Sequence, residues 1–89
     1  MRLPTIHRNG TSAESLYEDA CTALGALRAA VRALEQAAPN ARDYYPQGDS
    51  AIDEVFREHD ARVERVVSVI RELETVVEHI ADAQDRGHR

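Results

Sequence analysis

The chain has no tryptophan and no lysine, one phenylalanine and one cysteine among its 89 residues. So few aromatic side chains mean that a core must come from Leu, Val, Ile and Ala, which favours helix packed on helix. A lone thiol, Cys21, cannot close an intrachain disulfide; beside Ala20 it reads as a small apolar residue in a helix. Acidic and basic residues interleave along the chain, and the net charge is −5. Without a basic face, a general nucleic-acid binder is disfavoured, although a few local arginines could still hold a small anion. Nothing in the sequence approaches membrane-spanning length, and Met1-Arg2-Leu3-Pro4-Thr5 lacks a signal-peptide apolar run. A cytoplasmic location without membrane contact is the expectation, and the sequon Asn9-Gly10-Thr11 then carries no meaning.

Catalytic signatures are also missing. Ser12, Ser15, Ser50, Ser68 and Cys21 have no base at a motif spacing, and no Gly-rich phosphate loop is present. His7, His59, His79 and His88 are scattered, with no pair at metal-ligand spacing. The expectation is a non-enzymatic protein without cofactor or metal.

Apolar periodicity is what the chain does have. Residues 1–10 read as an extended arm, with Pro4 restricting the backbone and Gly10 marking a turn. Thr11-Ser12-Ala13-Glu14 has the form of a capping box, and Leu16, Ala20, Ala23, Leu27, Val31 and Leu34 follow at helical steps. Pro39 stops this pattern, so the first helix is expected over 12–38. A loop over 39–49 precedes a second helix over 50–86, with Asp49 or Ser50 as N-cap and Gly87 as C-cap. Its stripe runs Ile52, Phe56, His59, Val63, Val66, Ile70, Leu73, Val77 and Ile80, alternating steps of four and three as coiled coils do. A second column, Val55, Val69, Val76 and Ala83, flanks the first and is interrupted only by Arg62.

The fold class is therefore all-α: a single-domain antiparallel hairpin. One hairpin covers one seam and the second helix carries more apolar surface than that, so self-association into a dimeric bundle or larger oligomer is expected. Folded at 39–49, such a hairpin would place Arg28 opposite Asp60 and Arg32 opposite Phe56. Arg28, Arg32, Arg57, His59 and Arg62 would then form one belt, otherwise read as helix-surface ion pairs. His59, in an apolar stripe, reads either as a core histidine bonded across the hairpin or as a ligand donor.

The 39–49 stretch holds Arg42 and the pair Tyr44-Tyr45, where a polar turn would have sufficed. Tyrosine beside arginine suits a flat anionic ligand, the ring stacking on a base and the guanidinium forking to phosphate. Asn9-Gly10-Thr11-Ser12, at the start of the first helix, is a second candidate anion site. The two lie at opposite ends of one hairpin, so only a partner subunit or the arm could join them. The candidate ligand-binding residues are Arg42, Tyr44, Tyr45, His59 and Arg62, with Asn9 and Thr11 from another copy or the arm.

Ile6-His7-Arg8-Asn9-Gly10-Thr11-Ser12, Pro39-Asn40-Ala41-Arg42-Asp43-Tyr44-Tyr45-Pro46-Gln47-Gly48 and Glu58-His59-Asp60-Ala61-Arg62 together resemble a family of small helical proteins of temperate phages and prophages. The resemblance spans nearly the whole chain, with Ala41 standing where glycine is expected. It implies a phage accessory product acting in a bacterial host cell. Two functions are expected on these grounds. The first is an oligomeric sponge that sequesters a small nucleotide-like ligand against host defence. The second is an interaction module docking a host defence protein through Tyr44 and Tyr45.

Overall fold

The computed structural model describes residues 1–87 and is helical, in keeping with the periodicity. Helix α1 spans Ala13–Gln36 and helix α2 spans Asp49–Gly87, joined by two short 3₁₀ turns, Ala41–Asp43 and Tyr45–Gln47. The two helices pack as an antiparallel hairpin measuring 63 × 20 × 20 Å.

Helix α1 starts one residue later than the capping box suggests. Ser12, in extended conformation at φ −61° and ψ 149°, caps it by accepting from the Ser15 N–H at 3.1 Å. Glu14 consequently sits inside the first turn, and Thr11 stays exposed outside the helix. The helix ends two residues before Ala38. The Ala37 N–H is shared between the Ala33 and Leu34 carbonyls at 3.0 and 3.1 Å, which tightens the last turn. Pro39 disfavours helical backbone at the residue before it.

The linking stretch is built, not merely a loop. Asn40 caps the first 3₁₀ turn by accepting from the Arg42 N–H at 3.0 Å. Ala41 needs no glycine, because no non-glycine residue among those described has positive φ. Gly48 does need to be glycine: its φ of 99° with ψ of 165° is a combination essentially closed to other residues. Its carbonyl accepts from Ala51 and Ile52, so helix α2 already includes Asp49 rather than being capped by it. Gly87 is still helical, so it does not cap the helix; His88 lies outside the described residues.

These turns change the register. His59 contacts the Leu34 carbonyl, and Arg28 pairs with Glu74 at 3.5 Å instead of lying near Asp60. Glu74, the partner of Arg28, lies about four helical turns along α2 from Asp60, which takes Arg28 out of the belt around His59. The physical reason is that the second 3₁₀ turn packs on α2, and α1 begins to cover α2 only near His59.

Helix α2 is 39 residues long and α1 is 24, so α1 covers the middle of α2 and leaves both ends over. The tyrosine turns occupy one end. At the other lies the N-terminal arm, where His79 Nε2 donates to the Pro4 carbonyl at 2.7 Å. Only Leu24, His59, Ile70 and Ile80 are buried among the described residues, Ile80 completely. Most of the remaining seam is half-buried, and Phe56 and Val69 are 38% and 42% exposed.

Candidate functional site

His59 is 6% exposed and fixes the end of α1 to α2. Its Nε2 lies 2.9 Å from the Leu34 carbonyl, and its Nδ1 lies 3.2 Å from Arg62 Nη1. A carbonyl can only accept and a guanidinium can only donate. The ring is therefore the neutral Nε2–H tautomer, donating to Leu34 and accepting from Arg62. Leu34 is in the last turn of α1, where its carbonyl also accepts from the Ala37 N–H, so His59 supplies a second donor from the other helix. Its single N–H is thereby used within the hairpin, and none remains for an anion. Arg62 is exposed and retains further N–H groups.

Tyr44 is half-buried over the first turns of α2. With Gln47, Ala51, Glu54, Val55 and Glu58 it lines a shallow hollow of about 180 Å³. Two carboxylates and no arginine line that hollow, so it is not an anion pocket. Tyr45 is 70% exposed and does not line that hollow, and Arg42 is exposed. Arg42 makes no ion pair among the described residues; the pairs found are Arg28–Glu74 and Arg71–Glu64.

Asn9 and Thr11 are exposed beside a turn closed by the Gly10 N–H donating to the His7 carbonyl at 3.1 Å. They lie at the far end of α1 from the tyrosines, as chain order requires. The seven candidate residues thus fall in three places: Arg42, Tyr44 and Tyr45 on the turns, His59 with Arg62 on α2, and Asn9 with Thr11 beside the arm. Neither hollow described here has more than one of them in its wall, Tyr44.

A second hollow of about 390 Å³ lies under the arm, between Pro4, Thr5, Ile6 and the α2 residues His79, Ala83 and Arg86. Sequence reading passed over His79, because its partner is a backbone carbonyl and leaves no trace in residue type. In sequence Glu54 reads as a complement to the helix dipole and Glu58 as an i, i+4 partner of Arg62, and neither reading points to a hollow.

Between these two hollows runs the second column of α2. Val55, Val76 and Ala83 are half-buried, Val69 is exposed, and Val66 and Leu73 between the columns are only partly covered by α1. Tyr44 lies over one end, at Ala51 and Val55, and the arm lies beside Ala83 at the other. The middle, from Arg62 to Val76, remains open.

Among the described residues no cluster of three or more His, Cys, Asp or Glu is placed to hold a metal, and no helix is long and apolar enough to cross a membrane. The chain matches no family model, no curated protein and no solved structure.

Proposed function

We propose that the chain is a non-catalytic helical interaction module whose working form is an assembly of hairpins packed into a helical bundle. The observation that supports this is the open middle of the second column, where Val69 is 42% exposed between half-covered Val66, Leu73 and Val76. Contiguous apolar surface of this kind marks an interaction site on a folded chain. The hairpin also buries only three apolar side chains among the described residues, a small core for its length. Helices draw most of their stability from tertiary packing, so a further neighbour stabilises the fold as well as hiding the column.

Sedimentation equilibrium over a wide concentration range tests this. The expected mass is at least twice the 9.9 kDa of one chain, with a melting temperature that rises with protein concentration. The single-chain mass throughout, with a melting temperature independent of concentration, refutes it.

A second reading is supported by Arg42, which makes no ion pair among the described residues, and the exposed ring of Tyr45 three positions on. Those two groups could stack on and fork to a small nucleotide-like anion, sequestered as the phage resemblance implies. Here Arg62 keeps N–H groups to offer, while His59 acts only by holding the scaffold. Calorimetry against nucleotides and cyclic nucleotides separates this reading from the first.

A further inference from the structure

Resting on the interaction-module reading, we infer that the occupant of the second column is a second copy of the same helix. The two α2 helices run antiparallel about a two-fold axis near Val67 and Ser68, so that the tyrosine turn of one copy meets the N-terminal arm of the other.

The column, Val55, Arg62, Val69, Val76 and Ala83, alternates at steps of four and three with its inner neighbours His59, Val66, Leu73 and Ile80; His59 and Ile80 are already buried within the hairpin, so the column with Val66 and Leu73 carries the second heptad seam. On its outer flank, at seven-residue intervals, stand Glu58, Arg65, Glu72 and His79. The first three are exposed. In antiparallel packing this flank faces the same flank of the partner. If Val66 of one copy lies level with Val69 of the second, Arg65 faces Glu72 of the second copy and Glu58 faces its His79, each pairing occurring twice by symmetry.

Alternative registers fail on charge. A slip of one heptad in one direction sets Arg65 against Arg65 and Glu58 against Glu72. A slip in the other direction sets Glu72 against Glu72. A parallel pair would place Arg62 against Arg62 within the seam. In the inferred register Arg62 instead lies opposite Leu73 of the second copy. Its methylene stem can pack there with the guanidinium at the rim, where His59 already holds one N–H.

The same register pairs the open middles of the two helices, Arg62 to Val76, and brings their covered ends level, because the axis falls at the middle of Asp49–Gly87. Val55 comes level with Ile80 of the second copy, and Ile52 with its Ala83. The hollow below Tyr44 therefore opens onto the hollow below the second copy's arm. Their charges match, with the Glu54 and Glu58 carboxylates on one side and the Arg86 guanidinium on the other. Two shallow hollows become one enclosed junction between Tyr44 and residues Pro4 to Ile6 of the other copy.

The test is charge exchange between two single variants, Arg65→Glu and Glu72→Arg, each made in the whole chain and read by native mass spectrometry and sedimentation. Both positions are exposed, so each variant retains the hairpin. Alone, each converts two attractive contacts into two repulsive ones, and the dissociation constant is expected to rise about tenfold or more. Mixed, they restore both contacts across the interface while leaving like charges within each chain. The mixture should yield heterodimer almost alone, with affinity near that of the parent. A statistical mixture of homodimers and heterodimers overturns the inferred register while leaving self-association standing. A parent chain that is monomeric at every concentration overturns both.

Discussion

Replacing His59 with alanine is expected to cost the fold about 3 kcal/mol, counting the lost hydrogen bond and the cavity left in the seam. Three effects add. The Leu34 carbonyl loses its second donor, Arg62 loses its acceptor at 3.2 Å, and a residue that is 6% exposed leaves its volume empty. A small domain has only about 5–15 kcal/mol of stability, so the loss is a large share of it. Chemical unfolding followed by circular dichroism, at one fixed protein concentration, reads this directly. His59→Gln should recover part of the loss, because the glutamine amide can also donate to a carbonyl. An alanine variant that unfolds at the parent midpoint would mean that the Leu34 contact contributes nothing to holding the helices together.

Replacing Val69 with aspartate is expected to abolish assembly. Val69 is the most exposed member of the open column, and its solvent exposure is 42% in the isolated hairpin. In the monomer an added carboxylate there can stay hydrated, so the direct cost to the hairpin is small. Between two copies it would be buried beside Val66 of the other chain with no cation in the seam except Arg62. An uncompensated buried charge costs on the order of 3 kcal/mol or more, and two-fold symmetry applies the penalty twice. The dissociation constant should then rise about 10,000-fold or more. Ser68→Asp, one position away but outside both seams and already exposed, should leave assembly unchanged. Sedimentation velocity at matched concentrations distinguishes the two variants. Assembly that tolerates aspartate at 69 as well as at 68 would place the interface on another face.

The parts of this structure that were legible in sequence are those written in side-chain type. Leu16 to Leu34 and Ile52 to Ile80 repeat with the helical period, and both helices are where that period puts them. The second column is legible for the same reason, since Val55, Val69, Val76 and Ala83 recur every seven residues. His59 stands out as a polar residue in an apolar stripe, and the core-histidine reading of it is what the hairpin uses.

What escaped the sequence is written in the backbone. The helix register depends on how many residues the turns consume, and nothing in Pro39 to Gly48 announces two 3₁₀ turns, the second packed on α2. Arg28 was therefore set against Asp60 when its partner is Glu74. The two histidine contacts, His59 to Leu34 and His79 to Pro4, both end on main-chain carbonyls, which every residue carries. The capping box was displaced because Ser12 and Thr11 offer the same hydroxyl, and only backbone conformation selects between them. Tyr44 and Tyr45 are adjacent in sequence but divide at the turn, one half-buried above acids and the other mostly exposed.

The antiparallel pairing of α2 with its copy is most directly read as a distance between copies. Arg57 is exposed and lies near one end of the helix. A spin label at Arg57→Cys, in a Cys21→Ser background, reports that distance by pulsed dipolar spectroscopy. In the inferred register Arg57 lies level with Glu78 of the second copy. The span between those positions is about 32 Å along the axis, and the label-to-label distance about 35 Å once interhelical spacing is included. A distribution centred near 35 Å is the expected result. A distance below about 20 Å, as a parallel pair would give at one interhelical spacing, rules the antiparallel pairing out, as does the absence of any dipolar coupling between copies.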